Sequence, residues 1–436
     1  MTAPDLAART LALSVLSRIR HGRITVLEPG HRRRDLGRGD GPQATVRIRD
    51  PRAWRALLGG SLPLADAYAA GWWDADDLVG VFRIGAANMR PLDTARRWAT
   101  PLREPFQRLR AAGTSAGIAA SRDDIHAHYD LGNDFFAEML DETMMYSAGY
   151  FEGERSSLHE ASLAKLELVC AKLGLGPDDH VLEIGTGWGG FAVHAAATTG
   201  CRVTTTTISD EQHAYATERV RAADLDDRVT VLNRDYRLLD GKYTALVSLE
   251  MIEAVGWRDF NLFMRTCAER LTDDGRMLLQ AITMTDRAFP VEKASRSFIR
   301  TRIFPNGCLP SPAVLARHAG RNELQIVDHQ DLTWHYARTL AAWRSNLLDR
   351  AQRLEELGYD EEFRRMWQLY LAYCEAGFAE RRIQVGQTMY AKARWRGGAP
   401  AARQTELPGV DALHVAPGRD ETAPPLAPRN PSQRQA

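Results

Sequence analysis

The run Val181-Leu-Glu-Ile-Gly185-Thr-Gly187-Trp-Gly189-Gly190-Phe191 joins a short aliphatic segment to an amphipathic one. Glycines at such a strand-to-helix turn let the backbone bend sharply and approach a ligand where a Cβ would collide. Gly185, Gly187 and Gly190 also satisfy G-x-G-x-x-G, which alone points to a dinucleotide. Two features turn the reading toward S-adenosylmethionine (SAM). Glu183 stands two residues before the first glycine, where an acid orders such a loop, and Gly189 belongs to the same turn. The following strand ends in Thr206-Thr207-Ile208-Ser209, with no carboxylate for a nicotinamide ribose. Asp235, after a third strand, stands where it could accept from an adenine amino group; on spacing alone an exposed loop aspartate is nearly as good a reading.

These residues need a frame. Val181–Ile184, Val203–Thr207, Val229–Leu232, Ala245–Leu249 and Met277–Ile282 are short β-branched or aliphatic runs, several of them separated by helical text. That alternation predicts an α/β fold with a parallel sheet covered on both faces. Ahead of it, residues 1–92 mix an N-terminal helix, strand-like pieces (Ile24–Leu27, Ala44–Ile48) and further helix, with Arg32–Gly41 read as a turn-rich loop. Residues 93–120 read as a linker, 121–396 as the main domain, and 397–436, rich in Pro, Ala, Gln and Arg, as a disordered tail.

The formal net charge over 436 residues is zero, so bulk electrostatics select no partner. The distribution is uneven: Ser17 to Arg55 holds eleven arginines and four acids, a surface suited to anionic lipid headgroups or to nucleic acid. No window approaches the roughly 20 apolar residues that span a bilayer, and the N-terminus lacks the cationic start of a signal peptide. The five cysteines have no metal-type spacing, so no metal is expected, and they suit a reducing cytoplasm.

From Ser121 onward the sequence resembles the cyclopropane-fatty-acid synthase family with its mycolic-acid-modifying relatives. The resemblance is carried by His128-Tyr129-Asp130-Leu131-Gly132-Asn133-Asp134-Phe135-Phe136, Met144-Met145-Tyr146-Ser147 and the glycine turn. It continues through Thr207-Ile208-Ser209-Asp210-Glu211-Gln212, Glu250-Met251-Ile252-Glu253-Ala254-Val255-Gly256, Ile303-Phe304-Pro305-Asn306-Gly307-Cys308 and Tyr336 to Trp343. Ala65 to Asp74 resembles the N-terminal domain of the long members. The resemblance implies a SAM-dependent methyltransferase fold: a mostly parallel seven-stranded sheet, an inserted helical lid over an acyl tunnel, and a small α+β N-terminal domain that presents lipid. It implies SAM contacts at Tyr146, Ser147, Gly185, Gly187, Thr207, Ile208 and Gln212.

The implied reaction is methyl transfer to the double bond of an unsaturated fatty acyl chain, in a phospholipid, giving a cyclopropane or a methylene or methyl branch. An alkene is a weak nucleophile, so it must be held in line with the methyl group, away from water. The resulting cation needs aromatic walls, for which Tyr129, Phe135, Phe136, Tyr236, Trp257, Phe304 and Trp334 are candidates, and a base. In the family that base is a bicarbonate held by a glutamate, a tyrosine, a histidine and backbone groups. Glu253, Tyr336 and Ile282 match; Ala148 stands at the cysteine and Gln280 at the histidine. The expectation is that an anion site survives, weakened, with Glu253 itself an alternative base that stays ionised beside the sulfonium. Cys374 matches a cysteine once proposed as catalytic, but it lies on the stripe Phe363, Trp367, Tyr370, Cys374, Phe378, where core packing is the better reading. The same resemblance implies a cytoplasmic enzyme peripheral on the inner face of an anionic membrane, not a nucleic-acid binder, compatible with a homodimer and with a reductase that completes a methyl branch. The rivals are a methyltransferase of another substrate and a lipid-binding homologue that has lost catalysis.

Overall fold

The computed structural model describes residues 1–30, 32–89, 132–294, 297–305 and 307–397. The expected linker, the tail beyond Gly397, the segment His128–Leu131 with the candidate Tyr129, and Asn306 lie outside the described residues.

The chain opens with a helix, Ala3–Leu16, started by a Thr2–Asp5 capping box. Strands β1 (Arg23–Glu28), β2 (Arg32–Leu36), β3 (Gln43–Ile48) and β4 (Trp73–Ala75) form a sheet ordered β2-β1-β3-β4. Here the structure corrects the sequence reading. The first half of the Arg32–Gly41 "loop" is strand β2, paired antiparallel to β1 with Glu28 opposite Arg32 and Leu27 opposite Arg33. An edge strand with both faces in water needs no apolar alternation, and exposed Arg32, Arg33 and Arg34 hide it from a hydrophobicity pattern.

This unit rests on the long helix Glu361–Ala379. Arg365 donates to the carbonyls of Tyr68 and Trp73 at 2.8 and 3.1 Å, and Arg83 pairs with Glu380 at 2.8 Å.

The main sheet contains β5 (His180–Ile184), β6 (Arg202–Thr207), β7 (Val229–Asn233), β8 (Tyr243–Leu249), β9 (Leu271–Met284), β10 (Gln325–Asp331) and β11 (Ile383–Ala391), in the order β10-β11-β9-β8-β5-β6-β7. Only β11 runs antiparallel to its neighbours. The five runs read as strands are strands; β10 and β11 are additions. Polar Gln325-Ile-Val-Asp-His-Gln-Asp and the glycine and glutamines of Ile383–Ala391 lower strand propensity, and pairing of β11 against β9 and of β10 against β11 overrides it. The chain leaves β5 toward β6 on one side and returns to β8 on the other. The crevice at their carboxyl ends is where such sheets bind ligands. Apolar clusters fill both faces, and a third joins the N-terminal unit to the helices around Tyr336 and Trp367. No described helix is long and apolar enough to cross a membrane, and the described cysteines are unpaired.

Candidate active site

The glycine turn lies at the carboxyl end of β5. Gly185 and Gly187 have φ of +105° and +52°, left-handed conformations that a side chain resists. A Cβ on Gly187 would meet no protein atom within 4 Å, so that face of the turn is open to a ligand. Gly189 and Gly190 serve packing instead: their Cβ positions lie 3.1 Å from Ala216 and 2.7 Å from the Thr143 carbonyl. Beneath the turn Glu183 is buried and accepts from Thr205 at 2.6 Å, whose oxygen meets that of Thr186 at 2.7 Å; burial pushes the Glu183 carboxyl up to about 8. At the end of β6, Thr207 donates to Gln212 at 2.9 Å, and Ile208 lies between Thr207 and the helix that carries Gln212. Asp235, expected on a loop, is buried, and its carboxylate is clamped by the Arg237 guanidinium at 2.8 and 2.7 Å.

Tyr146 and Ser147 approach the crevice from the opposite side. The Tyr146 hydroxyl lies 3.1 Å from that of Tyr370, and its ring meets Phe136, Trp343 and Phe304 at centroid distances of 5.3, 5.2 and 6.5 Å. Of the aromatic candidates, Phe136 and Phe304 therefore stand at the site. Trp257 is on the surface beside Arg258 and Lys293, Tyr236 packs on Phe263, and Trp334 lies by Arg338. Ser147 accepts from Lys165 at 2.9 Å. This lysine is completely buried; desolvation pulls its ammonium down to about 8, opposed by Glu250, Asp141 and Glu183.

The proton-accepting groups are arranged differently from expectation. Glu250 carries the carboxylate at the centre. Its Oε1 accepts from the Ala148 N–H at 2.9 Å and the Gln280 amide at 2.7 Å, and the nearby Tyr336 hydroxyl helps to lower the same carboxyl. Gln280, fully buried on β9, is fixed by Gln387 of β11 at 3.0 Å. Ala148, Gln280 and Tyr336 were expected to surround a small anion held by Glu253; the chain's own Glu250 takes the Ala148 and Gln280 donors, beside Tyr336. A bicarbonate therefore does not fit there, since it would place a second negative charge on donors already engaged. Glu253 accepts from the Ile282 N–H through Oε1, and its buried Oε2 has no protein partner.

Burial raises both carboxyls, Glu253 to about 8 with Glu250 adding repulsion. Two carboxylates so placed share a proton. Ala148 and Gln280 are obligate donors, so the charge belongs on Glu250 and the proton on Glu253. Glu250 also adopts φ +55°, rare for a non-glycine residue and found at functional sites. Sequence reading passed over Glu250 although it opens the Glu-x-x-Glu pattern, and it passed over Lys165, for which spacing gives no signal. Cys374, the remaining candidate, has a thiol that burial pushes up to about 12, with no cation to ionise it, as a packed core thiol has.

A glycine turn at the switch point of this sheet, with a buried acid beneath it, defines a SAM-dependent methyltransferase. The model of the family described as mycolic acid cyclopropane synthetase matches residues 118–388. A tuberculostearic acid methyltransferase of Mycobacterium tuberculosis is 36% identical over 80% of this chain and 84% of its own. The cyclopropane-fatty-acyl-phospholipid synthase of Escherichia coli strain K12 is 34% identical over 80% of this chain and 88% of its own. Among solved structures, the cyclopropane synthase MmaA2 of M. tuberculosis superposes with a TM-score of 0.59 at 31% identity, covering 62% of this chain and 98% of that one. The mycolic acid cyclopropane synthase CmaA1, complexed with SAH and CTAB, gives 0.58 at 31% over the same shares. The chain belongs to the mycolic acid cyclopropane synthetase family.

Proposed function

We propose that this enzyme methylates the double bond of an unsaturated acyl chain in a phospholipid, with Glu250 as the proton acceptor. The observation that carries this reading is the Glu250 carboxylate, fixed by Ala148 and Gln280 at the end of the sheet that bears the glycine turn.

SAM supplies an electrophilic methyl group. Gly185 and Gly187 give its backbone approach, with Glu183 ordering the loop. Tyr146 and Ser147 face its methionine part; Thr207, Ile208, Gln212 and Asp235 face its ribose and adenine. Tyr146, Phe304, Trp343 and Tyr370 exclude water, and their faces stabilise positive charge. With SAM bound, the alkene π pair would form the new carbon–methyl bond as the sulfur–methyl bond breaks with its pair left on sulfur, and a cation would remain on the neighbouring carbon. Glu250 takes a proton from carbon, and the released pair closes a cyclopropane or forms a new double bond, according to which C–H it reaches. A methylene branch needs a separate reductase to become a methyl branch. Glu253, neutral, donates from Oε2, which has no protein partner, to the ligand.

The N-terminal unit presents the lipid from the cytoplasmic side of the membrane, with the exposed arginines of β2 toward anionic headgroups. The test is incubation with SAM and vesicles of unsaturated phospholipid, followed by mass and NMR analysis of the acyl chains. A gain of one CH2 per chain is expected. Tight SAM binding with no gain on any unsaturated lipid leaves a non-catalytic lipid binder instead.

A further inference from the structure

Where the N-terminal helices meet the catalytic part, the surface opens into a cleft of about 830 Å³. Its walls come from the helices Ala53–Gly59 and Ser61–Ala69, the turn Ile299–Ile303 and the helix Glu361–Ala379, so neither part forms it alone. Leu62, Pro63, Phe363 and Met366 give it an apolar lining; Arg52, Arg55 and Arg302 stand among them, against two acids, Asp66 and Glu362.

The three arginine side chains are 51%, 52% and 51% exposed. Each arginine holds an acid: Arg55 holds Asp5 through Nε at 2.6 Å, while Arg302 holds Asp66 and Arg52 holds Asp50 through Nε and Nη2, which leaves Nη1 of the last two arginines without a partner among the described residues. Arg52 also lies 4.1 Å over the Trp72 ring, so its guanidinium is fixed in plane. Guanidinium groups with a spare donor favour phosphate, and the apolar lining favours hydrocarbon. A simple anion makes no use of the lining, and an apolar peptide makes none of the arginines.

The lining also leads inward. Phe363 packs on Trp367 at 6.1 Å, Trp367 on Tyr370 at 5.3 Å, and the Tyr370 hydroxyl meets that of Tyr146. An aromatic run thus joins the cleft to the site.

We propose that this cleft docks the headgroup of an anionic phospholipid, its phosphate on Arg52, Arg55 and Arg302, with the acyl chain following Phe363, Trp367 and Tyr370 toward Tyr146. The inference rests on the lipid reading above and adds where the substrate is gripped.

The test compares two substrates on the full chain: vesicles of unsaturated phosphatidylglycerol, and detergent-dispersed oleyl alcohol, which has the double bond but no phosphate. For the double variant Arg52→Gln/Arg302→Gln, the apparent KM on vesicles should rise at least tenfold while turnover of the alcohol stays within twofold of wild type. Leu62→Trp, which fills the cleft without changing charge, should lower vesicle turnover and spare the salt-sensitive binding of the protein to vesicles. Unchanged vesicle kinetics in both variants, or equal losses on both substrates, would overturn the proposal. Wild type inactive on both substrates would instead remove the lipid reading on which it rests.

Discussion

At the scale of single residues, the site turns on which of two carboxylates is charged. Glu250→Gln keeps the shape but cannot accept a proton. A general base contributes about 10²–10⁴-fold, so kcat should fall by that order with SAM affinity within a fewfold of wild type, read by single-turnover kinetics and calorimetry. Glu253→Gln should cost less than about tenfold, because a neutral amide replaces a carboxyl that is already neutral. Equal losses in the two variants would count against assigning the charge to Glu250.

The same groups set a pH signature. Glu183 and Glu253 rise from 4.5 to about 8 on folding, so between those values the native state binds more protons and stability falls as pH rises. Lys165 falls from 10.5 to about 8, so above pH 8 the unfolded state binds more protons and stability recovers. Denaturant titrations without SAM should show stability falling from about pH 5 to a minimum near pH 8, with a smaller fall in Glu253→Gln.

At the scale of elements, the glycine turn separates ligand space from packing space. Gly187→Ala adds a methyl group where no protein atom waits, so its stability cost is the left-handed backbone alone, about 1–2 kcal/mol. SAM affinity should fall by more than tenfold. Gly190→Ala puts a carbon 2.7 Å from the Thr143 carbonyl and 2.6 Å from the Met145 sulfur, and should lower the melting temperature with the larger effect on folding. Comparable loss of fold in both variants would refute the division. Strands β9 and β11 act as a second such unit, since Gln387 on one fixes Gln280 on the other, which fixes Glu250.

At the scale of the whole molecule, the N-terminal unit is tied to the catalytic part by a shared apolar cluster and by ion pairs and hydrogen bonds around it. Arg365 serves two buried carbonyls and lies 4.1 Å over the Tyr68 ring. Arg365→Ala removes one hydrogen bond from each carbonyl, at about 0.5–1.5 kcal/mol each, while the Tyr68 carbonyl keeps the Gly71 N–H. Limited proteolysis should then release the N-terminal unit faster, with SAM binding retained.

The sequence by itself determined the parts that depend on local pattern. The glycine turn after Ile184 and the five aliphatic strands are of this kind, because backbone freedom and β-branched runs are written in neighbouring residues. The family motifs were legible too, as ordered matches. Tertiary structure decided what depends on burial and on distant pairing. It made β2 and β11 strands through their partners, and it brought Lys165 beneath Ser147. Above all it seated Glu250 on donors from two distant segments, at Ala148 and Gln280, where a free anion had been expected. A carboxylate's charge is set by the water it loses and the donors it gains, and neither is a property of its neighbours in the chain.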